Sequence, residues 1–388
     1  MSAERYNVLF LSSWYPSATH PTLGNFVARH AEAVATRHNV RVVYVTSSRT
    51  IDSTYRGERT LVDGIDTTIV YYKAHKLLSW WRRRNAFMQA MKLMHGESPW
   101  RIDVVHHNVL WPDVWQAVYL RRRFKIPFIV TEHWTGYDLD ERTDPGWKVR
   151  RMSIYGTRHA DLLCPVTENL AGAMRKFGLR GNYRVVPNVV DTSMFVIGDK
   201  GGEISRFLHV SSLFDPQKNI SGLLRVWKKF SDARPHVHLT IGGDGPVEHF
   251  EHYASELGID PATITFFPEK SPAEIAGLMS TRHALVMFSN YENLPCVIVE
   301  AMASGMAIIS TRAGGIAEHV DTQRGFLVPK RDEDALLQVL HQFTQSRAQF
   351  DPQELRAYAK DHFSIDAIAR NFSDCYRGVL QTQVNRPA

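Results

Sequence analysis

Two carboxylates, Glu292 and Glu300, stand eight positions apart in the stretch NYENLPCVIVEAMASGMAIISTRAGG, which runs from Asn290 to Gly315. Pro295 opens an apolar run between them. A helix begun at Pro295 keeps Glu300 within its first turns and leaves Glu292 in the loop before it. The mouth of such a helix carries backbone N–H groups without intrahelical partners and the positive end of the dipole, which suits a diphosphate. A carboxylate one turn deeper can accept two hydrogen bonds, which suits vicinal sugar hydroxyls. The same letters also describe an ordinary strand–loop–helix unit whose first-turn acid is favoured by the dipole. Beyond the helix, Gly305 reads as its stop, Met306 to Thr311 as a buried strand, and Gly314-Gly315 as a tight turn before another helix.

Other groups with chemical potential follow apolar runs. Ligands of open parallel sheets bind beyond the carboxyl ends of strands, which singles out His106, His107, Glu132 and His133. A histidine pair in that position is more often structural than catalytic. Lys218 lies in the loop Asp215 to Asn219 after the strand Phe207 to Ser212. Gly242-Gly243 closes the strand from His238, and Glu269-Lys270 follows the strand from Ile264 to Pro268. Gly24, with Asn25 after it, lies where a first strand turns into a first helix; a glycine needed only for the turn reads the same way.

These residues need a scaffold, and the chain supplies one twice. Tyr6 to Ser12 is a short strand, a helix opens at Asn25, and Val40 to Thr46 is a second strand. That order is Rossmann-like, and the lack of G-x-G-x-x-G argues against a nicotinamide cofactor. Residues 51 to 72 alternate in polarity as a hairpin does. Ala160 to Asn169 reads as a strand and a helix start. The turn-rich segment Tyr183 to Phe195 then leads into a second set of strands and helices, closed by a helical tail from Leu355 to Leu380.

At 388 residues, with 44% hydrophobic and 22% charged content, the chain fits two ordinary globular domains. No apolar run approaches a membrane span, and the opening residues lack the pattern of a secretory leader. Three separated cysteines fit a reducing compartment and argue against structural zinc. Residues 1–190 hold 27 Lys and Arg against 16 Asp and Glu, about +11, whereas 191–388 hold 19 against 24, about −5. Within the basic half, residues 73–94 mix Lys76, Arg82, Arg83, Arg84 and Lys92 with Leu77, Leu78, Trp80, Trp81, Phe87, Met88, Met91 and Leu93. That mixture fits a helix lying on an anionic bilayer, and equally a basic face over a core-facing stripe. Arg121-Arg122-Arg123 and Arg150-Arg151 favour the bilayer. No motif of a nucleic-acid-binding module accompanies the charge.

Taken together, these residues resemble the retaining GT-B glycosyltransferases of family 4 type (glycosyl transferases group 1), which carry a Glu-x7-Glu motif. The resemblance implies an α/β fold of two Rossmann-like domains facing a cleft, here 1–190 for the acceptor and 191–365 for the nucleotide-sugar donor. A C-terminal helix at about 366–388 crosses back to the first domain. By position, Lys218, Glu292 and His133 are the implied catalytic residues, with Thr131-Glu132-His133-Trp134 matching the strand-end histidine that contacts the donor sugar. Gly24, Asn25, Ser212, Gly243, Lys270, Asn293, Leu294, Pro295 and Glu300 are the implied donor-binding residues, with Glu300 on the ribose. The family carries an Arg where this chain has Ser212, so half of its cationic pair is missing, and Arg312 is a candidate substitute. Pro-Asn-x-x-Asp, here with Asn188 and Asp191, resembles the interdomain hinge.

The implied reaction moves a sugar from a nucleotide diphosphate sugar to a hydroxyl by same-face substitution, the leaving phosphate helping to deprotonate the acceptor. No cofactor or metal is expected, because the cations are side chains and a helix dipole. The expected acceptor is a lipid-linked glycan of bacterial surface polysaccharide. Partners are then a nucleotide-sugar donor, that glycan and an anionic membrane surface, with no nucleic acid. The expected location is cytoplasmic, on the inner face of the plasma membrane. Two alternatives share the fold: a sugar-nucleotide epimerase, which needs no acceptor, and a non-catalytic nucleotide-sugar-binding scaffold, which Ser212 would explain.

Overall fold

The computed structural model describes residues 4–384 except 77, 97, 98, 141, 203, 204, 235, 347 and 348. Leu77 of the basic stretch therefore lies outside the described residues. The chain divides into two units, Met1–Val189 with Ile365–Ala388, and Val190–Ser364.

In the first unit the elements run β1 (Asn7–Ser12), α1 (Asn25–Ala35), β2 (Asn39–Ser48), β3 (Tyr55–Val62), β4 (Ile65–Lys73), α2 (Ser79–His95) and β5 (Val104–Asn108). They continue as α3 (Trp115–Phe124), β6 (Phe128–Glu132), α4 (Trp147–His159), β7 (Leu162–Pro165) and α5 (Glu168–Phe177). Among the described residues the sheet order is β3-β4-β2-β1-β5-β6-β7, parallel except for the β3–β4 hairpin. Alternation along β1 sends Leu9 and Leu11 into one core with α2, α3 and α5, and Val8 and Phe10 into another with α1. The order reverses direction between β1 and β5, so the carboxyl ends of those strands form the edge where ligands of such sheets sit.

The second unit repeats the design. Its elements are β8 (Ser205–Ser211), α6 (Asp215–Lys218), α7 (Ile220–Ala233), β9 (Val237–Gly243), α8 (Val247–Glu256), β10 (Ile264–Phe267) and α9 (Pro272–Thr281). Then follow β11 (Ala284–Met287), α10 (Cys296–Ala303), β12 (Ala307–Thr311), β13 (Gly325–Val328), α11 (Glu333–Ser346) and α12 (Pro352–Phe363). Its sheet is wholly parallel, in the order β10-β9-β8-β11-β12-β13 among the described residues, with the switch between β8 and β11. The last helix, α13 (Ile365–Val384), returns to the first unit, where Ile368, Phe372, Tyr376 and Val379 complete the core beneath α1.

Three local expectations change. Asp215–Lys218 is one helical turn rather than a loop, because Pro216 suits a first helical position and Asp215 accepts from Ser221 N–H and Oγ at 2.8 Å. Gly314–Glu318 is a single 3₁₀ stretch, not the start of a longer helix. His106 and His107 lie inside β5 rather than beyond it, and both are fully buried. His106 bridges Tyr376 OH at 2.7 Å and Thr131 Oγ1 at 2.6 Å, and His107 Nε2 lies 3.1 Å from Val109 C=O, so both rings are tied inside the first unit.

Candidate functional site

At the switch point of the second sheet, the two strands flanking the crevice deliver the residues of interest. The turn after β8 carries Lys218, and the loop after β11 carries Glu292. Lys218 Nζ lies 2.5 Å from Glu292 Oε1, with only 12% and 6% of the two side chains exposed. Gln217 lies on the same side, its Nε2 donating to Tyr291 C=O at 3.3 Å and lying 3.5 Å from Glu292 Oε2. Asn290 ties the two segments further: its N–H donates to Gln217 C=O at 2.7 Å and its Nδ2 to Pro216 C=O at 3.0 Å. An ammonium has three donors, so Lys218 can hold Glu292 and still present N–H groups to an anion.

Glycines bring the backbone together around this pair. Gly314 has φ +55, and a Cβ there would stand 1.9 Å from the carbonyl oxygen of Glu292. Gly315 N–H donates to Asn293 C=O at 3.0 Å, so the Gly314-Gly315 turn grips the peptide that follows Glu292. Gly243 ends β9 where a Cβ would meet Ser211 C=O at 1.7 Å, which lets the β8 and β9 ends close beneath Ser212. The residue after Ser212, Leu213, has φ +51, a left-handed conformation that leucine seldom adopts.

Helix α10 starts directly after Pro295, as the proline and the following apolar run dictate, and has no side-chain cap. Glu300 lies inside it and is buried, 4% exposed. The Leu294 side chain is in the hydrophobic core, which leaves its backbone to face a ligand. Asn293 and Pro295 keep partial exposure. Ser212 is exposed and brings no charge, and Arg312 is exposed at the end of β12, with its backbone N–H on Val328 C=O. Lys270 is engaged elsewhere, 2.8 Å from Glu274 Oε1, where Ser271 and Glu274 form the capping box of α9.

In the first unit the loop carrying His133 is fixed from below by Glu132. Glu132 Oε1 accepts from His133 and Trp134 N–H at 2.9 Å each, and Oε2 accepts from Leu110 N–H at 3.0 Å and Tyr137 OH at 3.3 Å. His133 lies against Phe26, the ring centroids 4.2 Å apart and the planes tilted by 34°, with the His30 ring centroid at 5.3 Å. Burial, with His30 and His106 as neighbours, holds the His133 imidazole well below its usual pKa, so it is neutral at pH 7. Gly24 has φ +78, and its Cβ position is 2.5 Å from Trp14 C=O, so the glycine lets α1 start against the end of β1. Asn25 is exposed beside it.

The buried histidines set a pH dependence. Burial lowers His30 and His209 to about 4 and His107 to about 3. The unfolded chain takes up these protons near pH 6.5 while the folded chain does not, so stability present above 6.5 drains away as pH falls towards 4. Each group accounts for up to roughly 3 kcal/mol across that window. Urea midpoints should fall steeply from pH 6.5 to 4.5; a flat profile there would contradict buried neutral imidazoles.

The basic stretch divides. In α2, Ala86, Phe87, Ala90, Met91 and Met94 face the core, so Phe87 and Met91 are not surface residues. Arg83 turns inward, its Nε 3.6 Å from the buried Asp113. Trp80 and Trp81 stay exposed, 55% and 57%. Helices α2, α3 and α4 together hold eleven Lys and Arg and no Asp or Glu. Phe124 and Trp147 are exposed on α3 and α4, with Arg123 over the first ring and Lys148 and Arg151 over the second. Among the described residues no helix is long and apolar enough to cross a membrane, and no three His, Cys, Asp or Glu side chains converge as a metal site.

Sequence reasoning missed Gln217, Asn290 and Asp113, whose partners lie far away along the chain. Asn290 stood in plain view at the head of the signature stretch; only its two-sided amide marked it.

Two family descriptions match, Glycosyltransferase Family 4 over residues 23–194 and Glycosyl transferases group 1 over residues 200–362. The chain is similar to glycogen synthase of Mycobacterium tuberculosis, 23% identical over 412 residues that cover 98% of this chain and 97% of that protein. It is also similar to lipopolysaccharide 1,6-galactosyltransferase of Escherichia coli, 25% identical over 238 residues, 58% of this chain and 62% of that one. Among solved structures, Anabaena HepE in complex with UDP and glucose has a TM-score of 0.74 at 17% identity, covering 96% of this chain and 100% of that chain. At that identity the likeness is one of fold.

Proposed function

Because the chain belongs to the GT-B glycosyltransferases of family 4 type, we propose that it moves a sugar from a nucleoside diphosphate sugar to a hydroxyl with retention at the anomeric carbon. One observation carries the reading: Lys218 is held against Glu292 beside the mouth of α10, at the switch point of a doubly wound sheet. Lys218 and the positive end of α10 are suited to the charge that builds on a departing diphosphate. Glu292 is suited to a sugar hydroxyl, and the buried Glu300 to the ribose. The neutral His133 imidazole is suited to a sugar hydroxyl, as donor or as acceptor, without adding charge. In the step itself the bond from the anomeric carbon to the phosphate oxygen breaks, the acceptor oxygen bonds on the same face, and a phosphate oxygen takes the acceptor's proton.

No metal is needed in this reading, since Lys218 and the helix supply the positive charge. The UDP complex of HepE makes uridine diphosphate sugars the first donors to try. Acceptor-dependent release of nucleoside diphosphate, with the product's anomeric configuration read by NMR and the rate unchanged by EDTA, tests the reaction. Conversion of the donor without acceptor would instead identify an epimerase.

The acceptor proposed is a lipid-linked glycan of surface polysaccharide, met by a cytoplasmic protein at the inner membrane face. The galactosyltransferase of lipopolysaccharide among the relatives supports it. So do α2, α3 and α4, which contain no Asp or Glu of their own and on which exposed Trp80, Trp81, Phe124 and Trp147 stand among cations. Anionic vesicles should retain the protein over neutral ones, and Trp80→Ala/Trp81→Ala with Arg84→Ala should cut retention about tenfold. Equal retention on both vesicle types would remove the membrane from the account.

A further inference from the structure

The turn between β13 and α11 puts an arginine where the backbone favours glycine. Asp332 N–H points back to Pro329 C=O at 3.5 Å, so residues 329–332 form a four-residue turn. Its third residue, Arg331, has φ +62. Glycine or asparagine adopts that conformation at least cost, and a side chain that persists there invites a search for what it does. The Arg331 Nε donates to Asn290 Oδ1 at 3.1 Å.

Asn290 is a joint. Its Nδ2 donates to Pro216 C=O at 3.0 Å and its backbone N–H to Gln217 C=O at 2.7 Å, both in the turn that carries Lys218. Two residues further along its own loop is Glu292. A carboxamide has a donor end and an acceptor end, and only one orientation gives the donor to Pro216. The guanidinium on the oxygen selects that orientation.

We propose that Arg331 is a positioning residue for the donor site, which orients the Asn290 amide and thereby sets the spacing between the Lys218 turn and the Glu292 loop. The proposal rests on the donor-site reading above and deepens it, since the chain lacks a cation at Ser212 and depends the more on where Lys218 is held.

Arg331→Gly separates support from strain, because glycine relaxes the turn while removing the latch. Its Tm should be no lower than that of the parent. In the ligand-free protein, amide hydrogen exchange across 289–293 should quicken about tenfold, the loss of one charge-assisted hydrogen bond, with the rest of the second unit unchanged. Transfer should lose about tenfold in kcat/KM, and Arg331→Gly/Asn290→Ala should be no worse than Asn290→Ala alone. Exchange across 289–293 equal to the parent's, or losses that add in the double variant, would overturn the proposal. If the parent turns over no nucleotide sugar, the donor-site reading fails by itself, and hydrogen exchange still decides whether Arg331 holds Asn290.

Discussion

Lys218→Ala should lower kcat for sugar transfer about 100- to 1,000-fold, the effect of removing one strong donor from a developing oxyanion. The same substitution strands Glu292, whose side chain is 6% exposed, and an uncompensated buried carboxylate costs about 3 kcal/mol of stability. Lost activity alone would therefore be ambiguous. Removing both charges resolves it, because a buried ion pair replaced by apolar groups of similar size is close to neutral for stability. Lys218→Met/Glu292→Met should regain the parent's urea midpoint and remain as slow as Lys218→Ala. Recovery of activity together with stability would show that the pair is only structural.

The second large effect falls on a glycine in the turn packed against the signature loop. Gly314→Ala should destabilise the protein by about 3 kcal/mol or more, since the new methyl meets the Glu292 carbonyl at 1.9 Å on a backbone with φ +55. The loop cannot yield without moving Glu292 away from Lys218, so transfer should fall with stability even at temperatures where the variant remains folded. Circular dichroism and initial rates on one preparation check both parts. A variant as stable and as active as the parent would mean that the Gly314 turn does not hold the signature loop.

Much of this site could be read before the fold was seen, for local reasons. Pro295 and Gly305 punctuate α10 by rules that act within a few residues, and Glu292 and Glu300 take their places from that helix. The strands were legible because both faces of each sheet are covered, so Val8–Leu11 and Val42–Val45 read as unbroken apolar runs. What stayed hidden depends on distance along the chain. The sequence shows Lys218 and Glu292 as two separate charges; their pairing is a property of β8 and β11 lying side by side. Asp215–Lys218 passed for a loop because a one-turn helix has no periodicity to detect. In α2 the block Trp80-Trp81-Arg82-Arg83-Arg84 concealed that the helix is two things, a core stripe from Ala86 onwards and an exposed start at Trp80 and Trp81. Arg331 gave no sign at all, since only its backbone angle and its contact with Asn290 distinguish it from the Lys330 beside it.

The most direct test of the central claim, that the β8–β11 edge of the second unit binds a nucleotide sugar, is calorimetric titration with UDP, GDP and ADP and with their sugars. The parent should bind one nucleotide selectively. In the proposed site Lys218 would contact the diphosphate and Glu300 the ribose, so Lys218→Ala and Glu300→Ala should each weaken binding about tenfold or more. Binding that both substitutions leave unchanged would place the nucleotide elsewhere, and no binding of any of the three would contradict the account.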